Sequence, residues 1–335
     1  MAQSVSAPAG RVRVGSRGSK LALTQSHMAI DKLTSTHAGL EVEVETVKTI
    51  GDKIQDIAMS KIGDKGLFTK ELEAALAAGA VDMVVHSLKD MPTQLPDNME
   101  LAAITGREDP RDAVVMQARN HGLRLEDLPN GSTVGTGSVR RVAQLRRLYP
   151  HLQFGDIRGN IDTRLAKLDA EDSPFDALVL AAAGLRRLGL GARIAYTLDE
   201  VLYAVGQGSL GIEIRAGDSK TAALVQCLDH RQSRLECLAE RELMRVLEGG
   251  CSVPIGVLSR WSAGSLTLRA IVASPDGVRA VEAEAATPLS PNDDGGSCED
   301  ADACARALGA RVAASMRKRG VDEILGAIRR PATPA

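Results

Sequence analysis

Hydrophobic and polar positions alternate with a period of two in Arg11-Val12-Arg13-Val14-Gly15, which predicts a strand. From about Ser19 to Leu33 the period lengthens to that of an amphipathic helix, and alternation returns over Glu41–Thr49. Leu72 and Leu76 give Thr69–Ala78 the inner face of a second helix. Short apolar runs at Val81–Val85, Leu101–Thr105, Asp112–Met116, Phe154–Ile157, Phe175–Leu180 and Ile212–Arg215 predict strands, Val81–Val85 and Phe175–Leu180 as central ones and Val81–Val85 as parallel to its neighbours. Between them lie helices: one after Ser138 with Val142, Leu145 and Leu148 inside, one containing Arg164 that Asn160 caps, and one started by Asp218 or Ser219. Farther on, a long helix is predicted over Arg231–Leu247, and a small antiparallel sheet over Ile255–Leu258, Leu266–Ala273 and Val278–Glu284. A helix over Ala303–Lys318 and a shorter one to Ile328 follow, then a disordered tail at Pro331–Ala335. Strands alternating with helices predict the α/β class.

The breaks in the pattern carry the chemistry. Gly51–Phe68 has charges and glycines that defeat every period, and a loop of that length reads as a mobile lid. Arg13-Val14-Gly15-Ser16-Arg17-Gly18-Ser19 is faintly echoed by Thr133-Val134-Gly135-Thr136-Gly137-Ser138. Each is strand, glycine turn, serine, helix, which suggests two similar α/β units and offers two helix starts to negative groups. Arg17 stands in the first turn, as an anion ligand or an ordinary solvated arginine. Lys89 and Asp90 directly follow the Val81–Val85 strand, and ligands of open α/β sheets bind beyond such strand ends. A surface ion pair is the plainer alternative, and His86 reads equally as a base or a packed histidine.

Arginine recurs at strand-to-helix junctions: Arg140 and Arg141, Arg158 and Arg164, Arg186 and Arg187. In the first turn of a helix Arg140 and Arg141 oppose the dipole at ~0.3–1 kcal/mol each, which an anionic ligand would offset. Three such junctions point to a cationic cleft for several carboxylates or phosphates. No phosphate-loop or dinucleotide fingerprint supports a nucleotide.

Composition narrows the picture. The chain has 335 residues, enough for two or three domains, and 41 Lys+Arg against 43 Asp+Glu argue against a general nucleic-acid binder. Aromatics make up 2%, which leaves little for stacking bases or sugars. No apolar run of membrane-spanning length occurs, and Met1–Gly10 lacks the apolar segment of a secretory signal, so a cytoplasmic location is expected. Five irregularly spaced cysteines indicate neither a disulfide framework nor a metal site. One of them, Cys251, lies between Gly249-Gly250 and Pro254. It is either a small buried hydrophobe or a thiol on a shaped loop that reaches a ligand.

Taken together, these segments resemble the porphobilinogen deaminase (hydroxymethylbilane synthase) family. The stretches that carry the resemblance are Val14-Gly15-Ser16-Arg17, Lys61 to Leu72, Val84 to Thr93, Gly135 to Arg141, Ile157-Arg158-Gly159-Asn160, Tyr203 to Gly211 and Leu247 to Pro254. The last sixty or so residues match only loosely. The resemblance implies three domains: 1–107 with 206–219, and 108–205, both doubly wound and like periplasmic binding proteins, then a small α/β domain, 220–335, with a three-stranded antiparallel sheet. It implies a transferase of heme and porphyrin biosynthesis that joins four porphobilinogens head to tail, losing ammonia each time, and releases linear hydroxymethylbilane. The growing chain would be primed by a dipyrromethane in thioether linkage to Cys251.

By the same resemblance Asp90 is the catalytic carboxylate, with Lys89, Arg17, the lid residue Phe68 and Gln207 beside it. Ser19, Lys89, Ser138, Arg140, Arg141, Arg158, Arg164 and Arg187 bind the acidic side chains. It further implies a monomer that hands its product to uroporphyrinogen-III synthase, with no metal, membrane or nucleic-acid partner. Gly137 and Gly66 depart from the family's usual serines. A non-catalytic binder of an acidic ligand is the rival class, but it gives Cys251 no task and Asp90 no proton to manage. A thiol protease is weaker, because no histidine has a motif tying it to Cys251.

Overall fold

The computed structural model describes residues 10–49, 69–248, 253–290 and 300–329. The predicted lid, Phe68, Cys251, Gly66, Cys298 and the C-terminal tail lie outside the described residues. Three sheets organise the described chain, two of five strands and one of three.

The first sheet runs in the order β2-β1-β3-β10-β4. Its strands are β1 (Arg11–Arg17), β2 (Glu41–Val47), β3 (Met83–Ser87), β4 (Met99–Ile104) and β10 (Leu210–Arg215). β1 is parallel to β2 and β3, whereas β10 is antiparallel to β3 and β4. The central strand predicted at Val81–Val85 therefore has one parallel and one antiparallel neighbour. Successive side chains leave a strand on opposite faces. Met83 and Val85 accordingly pack with Val12, Val14 and Ile212 against Leu33 of α1 (Lys20–Thr36), while Val84 joins Leu72 and Leu76 of α2 (Lys70–Ala77).

The second sheet runs β7-β6-β8-β5-β9. It comprises β5 (Asp112–Met116), β6 (Thr133–Gly135), β7 (Gln153–Gly155), β8 (Ala177–Ala181) and β9 (Tyr196–Leu198). β6 is parallel to β7 and β8, and β5 is antiparallel to β8. The directions repeat those of the first sheet, so β6 takes the place of β1 and the sequence echo has a structural counterpart. β9 is three residues long and shows no sequence period. Leu145 of α3 (Val139–Leu148) covers one face, and Leu165 and Leu168 of α4 (Ile161–Asp169) the other.

The third sheet is the antiparallel series β11 (Ile255–Ser262), β12 (Ser265–Ala273) and β13 (Ala280–Pro288). Ala263 (φ 45°) and Gly264 (φ 72°) form a hairpin turn in which both central residues are left-handed. β13 begins two residues later than its hydrophobic pattern predicts. Val278 is given up to the turn that Ser274 closes with Arg279, and is 75% exposed there. The sheet packs on α7 (Arg231–Val246), α8 (Ala301–Lys318) and α9 (Val321–Arg329) through Leu235, Leu243, Leu268, Leu308 and Leu325. Cys237 is buried and Cys227 half-buried, neither of them in a disulfide, whereas Cys304 is disulfide-bonded, a bridge that the cysteine spacing does not reveal.

The chain groups into two compact units. One holds the first sheet, to which Ser209–Arg234 returns, and Val225 and Leu228 enter its core. The other joins Asp109–Gly208 to the chain from Leu235 on, so it contains the second and third sheets. Within it Tyr203 and Val257 form a two-way β-bridge, and the Gln144 amide donates to Leu202 O at 2.9 Å.

Gly309 sets the spacing of α7 and α8. A Cβ there would stand 2.1 Å from Ala239 O and 2.9 Å from Leu243 N, both rigid helix backbone. Gly309→Ala should thus force the helices apart at ~1–3 kcal/mol or more. A melting temperature lower by several degrees is expected by calorimetry, at about 2–4 °C per kcal/mol for a unit of this size. An unchanged melt would show that the helices give way freely.

Candidate functional site

In the first unit the functional candidates gather where parallel strands end. Val14 pairs with Met83 and Gly15 with Val84, so the turn after β1 and the turn after β3 leave the same edge of the sheet. The first turn carries half-buried Arg17 and Ser19; the second is a short 3-10 helix, Leu88–Asp90. Leu88 is buried and anchors it, Lys89 is half-buried, and Asp90 is exposed. Ser19 caps α1, accepting from Ala22 N at 3.3 Å.

A seam of neutral polar groups lies beneath these turns. Ser26 on α1 donates to Ser16 Oγ on β1 at 2.8 Å, and Ser87 on β3 donates to Gln25 Oε1 at 3.0 Å. Ser16, Gln25 and Ser26 are all buried. Because β10 is antiparallel it begins at this edge: Leu210 pairs with Ser87, and Leu88 N donates to Ser209 O at 3.0 Å. His86 is the packed histidine of the two alternatives. It is buried, and its Nε2 lies 2.8 Å from Glu213 Oε2 of β10.

The second unit gathers its candidates around a residue that sequence reasoning passed over, Asp112. Its carboxylate is fully buried and accepts four hydrogen bonds. Arg140 reaches Oδ2 at 2.7 Å and Oδ1 at 3.2 Å; Arg141 reaches Oδ1 at 2.8 Å and Gln207 Nε2 the same oxygen at 2.9 Å. Main chain holds one further Nη donor of each, Arg140 to Leu202 O at 2.7 Å and Arg141 to Val179 O at 2.9 Å. Burial pushes the Asp112 carboxyl up, but the guanidinium charges of Arg140 and Arg141 outweigh it and hold the acid well below the ordinary carboxylate range. The unfavourable placement of both arginines in the first turn of α3 is thus answered inside the fold by Asp112. Arg140 Nε and Arg141 Nε are nonetheless buried with no hydrogen-bond partner among the described residues.

The other arginines stand at the neighbouring junctions. Arg158 pairs with Asp156 at 2.7 Å, Arg164 donates to Gly159 O at 2.7 Å, and Arg187 donates to Gly208 O at 2.5 Å. Ser138 caps α3, accepting from Arg141 N at 3.4 Å. Asn160 occupies the cap position of α4 but its side chain makes no capping bond, contrary to expectation. At Gly137 a Cβ would lie 3.2 Å from both Asp156 Oδ1 and Ile157 O, which favours the glycine found there.

Asp112 had a sequence signal. Three acids precede apolar strand residues, Asp82, Asp112 and Asp176. Asp82 and Asp176 serve the far ends of their sheets, Asp82 bonding Arg13 and Asp176 bonding Thr133 N. β5 runs antiparallel, so Asp112 is paired with Ala181 at the carboxyl end of β8. Strand direction, which sequence does not show, separates the acid at the functional edge from the other two.

Chemically, one carboxylate facing two guanidinium groups leaves the buried cluster one positive charge in surplus. Arg158, Arg164 and Arg187 stand at the neighbouring junctions of the same unit, and such a set of guanidinium donors suits carboxylate or phosphate groups. Asp90 is an exposed carboxylate just past a strand end, accessible to solvent.

Residues 12–223 match the family model "Porphobilinogen deaminase, dipyromethane cofactor binding domain", and residues 234–318 match "Porphobilinogen deaminase, C-terminal domain". The chain is 50% identical over 328 residues to the porphobilinogen deaminase of Synechococcus sp. (strain RCC307), covering 97% of this chain and 99% of that protein. It is 46% identical over 330 residues to that of Nostoc sp. (strain PCC 7120 / SAG 25.82 / UTEX 2576), covering 98% of each. Among solved structures, the methionine-binding protein MetQ matches with a TM-score of 0.41 and 17% identity, over 67% of this chain and 89% of that one.

The lowered pKa of Asp112 gives an acid-stability prediction. Its stabilising contribution is complete above the unfolded carboxylate value of about 3.9 and is lost as pH falls below it toward the folded value. Asp112→Asn should lose about 3–5 kcal/mol at neutral pH, because two buried guanidinium groups lose their partner. Urea unfolding at a series of pH values from 7 to 3 should show a shallower acid decline for the variant than for wild type. Parallel declines would mean that Asp112 does not carry the pH dependence.

Proposed function

Since the chain belongs to the porphobilinogen deaminase family, we propose that it condenses four porphobilinogens head to tail and releases hydroxymethylbilane, with the strand-end residues above as its working groups. The observation that carries the reading is the collection of Arg17, Lys89 and Asp90 at one sheet edge and of Arg140, Arg141 and Gln207 around Asp112 at the other. Every pyrrole unit brings an acetate and a propionate, so a growing chain needs many cationic partners. Bidentate guanidinium groups suit that demand.

The dipyrromethane, held by a thioether to Cys251, supplies the pyrrole carbon to which substrate is added. The chain's own residues do the rest. Ser19, Lys89, Ser138, Arg140, Arg141, Arg158, Arg164 and Arg187 bind acidic side chains, and Arg17 holds those of the incoming unit. Asp90 faces the positive charge that develops on porphobilinogen as ammonia leaves, stabilises it and takes up the proton released when the new bond forms. By the family resemblance Phe68 would serve as a lid aromatic, and Gln207, bonded to Asp112, would hold the segment that leads into β10. The third sheet and its helices carry the cysteine as the third domain. The enzyme works as a cytoplasmic monomer and passes its product to uroporphyrinogen-III synthase.

The intact mass of the denatured protein tests the reading. It should exceed the sequence mass by two linked pyrrole units, and Cys251→Ala should remain at sequence mass and inactive. A wild-type chain at sequence mass with an active Cys251→Ala variant would sink the assignment in favour of non-covalent binding.

Asp90 is tested by rapid-quench measurement of the first porphobilinogen addition to loaded enzyme. Asp90→Asn should be slower by orders of magnitude, since the developing cation loses its counter-charge. Asp90→Glu keeps the charge but displaces it by about 1 Å, and should retain more activity than Asn while losing roughly 10²-fold. A near-normal first addition by loaded Asp90→Asn would remove Asp90 from the mechanism.

A further inference from the structure

We propose that Asp112 is a positioning residue for cofactor loading, its carboxylate fixing Arg140, Arg141 and Gln207 in the arrangement that receives the dipyrromethane; this rests on the family reading above. Three groups assigned to the site converge on one acid that does not itself belong to the cationic set. Asp112 Oδ1 takes donors from Arg140, Arg141 and Gln207, and Oδ2 takes a second from Arg140. A guanidinium is a rigid planar fork, so fixing its Nη atoms also fixes the direction of every remaining N–H. Those remaining donors include the Nε atoms of Arg140 and Arg141, which have no acceptor among the described residues. The main-chain bonds to Leu202 O and Val179 O each catch one corner of a fork, and among the described residues the carboxylate is what ties the two forks to each other.

Asp112 thus sets two quantities of opposite sign. It holds the arginines in place, which favours loading, and it cancels one of their two charges, which weakens their pull on an anion. If charge dominated, removing the acid would speed loading; if position dominates, removing it slows loading. The burial of all three ionic groups favours position, because a buried fork has no solvent to reorient in and any displacement strands its donors.

The test compares Asp112→Glu and Asp112→Asn with Leu178→Ala, a core variant of the neighbouring strand β8, and with Arg140→Leu. Apo-protein of each is incubated with porphobilinogen and followed by intact mass, with circular dichroism and melting recorded in parallel. Asp112→Glu keeps the charge and should fold, yet gain mass at least tenfold more slowly than wild type, because a displacement of about 1 Å is enough to cost that much. Asp112→Asn, where it folds, should be slower still. Leu178→Ala should melt as low as Asp112→Glu or lower and gain mass at the wild-type rate.

Wild-type or faster mass gain by Asp112→Glu or by folded Asp112→Asn overturns the proposal. So does equal slowing in Leu178→Ala at a matched melting temperature, which would reduce Asp112 to a structural residue. Should Asp112→Asn fail to fold, Asp112→Glu decides. Arg140→Leu separates the two levels of argument. If it stays apo while Asp112→Glu loads normally, only the positioning role falls. If it loads normally, the arginine reading falls, and the positioning role with it.

Discussion

A single buried carboxylate must partner two guanidinium groups, and the second unit is arranged around that constraint. An unpaired ion in a protein interior is costly, and a buried pair is tolerated only when its hydrogen bonds are satisfied as well. Asp112 meets the condition with four accepted bonds, and the main chain supplies two more to the arginines. Those carbonyls belong to Val179 on β8 and to Leu202 in the segment that runs on to Gln207. The knot therefore links a helix start, two strands and the segment before β10. Displacing any one of them would strand a buried donor.

The position of that knot follows from sheet topology. In each five-stranded sheet three parallel strands finish at one edge, and the antiparallel strand beside them starts there. Exits and entries therefore share the edge. In the second sheet this brings Asp112, at the entry of β5, to the ends of β6 and β8. In the first it brings Ser209 and Leu210, at the entry of β10, to the end of β3 that carries Lys89 and Asp90. A rule that looks only beyond the carboxyl ends of strands finds half of the residues at such an edge.

This accounts for what could be read from sequence. The strand-to-helix junctions were legible because glycine, serine and a change of period mark them, and Arg17, Lys89, Asp90, Arg140 and Arg141 stand in or directly beside them. Asp112, Gln25, Ser16, Ser26 and Glu213 were not. Each is a polar residue inside an apolar or amphipathic segment, and its role depends on which strand or helix faces it. A short strand such as β9 has no period to read, and the start of β13 was displaced because turn closure claimed Val278. The family resemblance supplied the chemistry that residue patterns alone left open, whereas the contacts of Asp112 came only from the fold.

The two units also treat polarity differently, and the difference bears on their tasks. Beneath Lys89 and Asp90 the seam of Ser16, Ser26, Gln25 and Ser87 is neutral, so it fixes strand ends without placing a further ionic charge against the exposed acid. Around Arg140 and Arg141 the support is itself charged, and it leaves a net positive charge after pairing. In the proposed reading, Asp90 works in contact with solvent over this neutral seam, with Lys89 and Arg17 as the cations at the same edge. In the same reading, Arg140 and Arg141 hold carboxylates, a task that suits rigid, partly compensated charge, attractive to an anion and pre-oriented for it. The same order of strands can serve both tasks because different side chains stand at the corresponding edges.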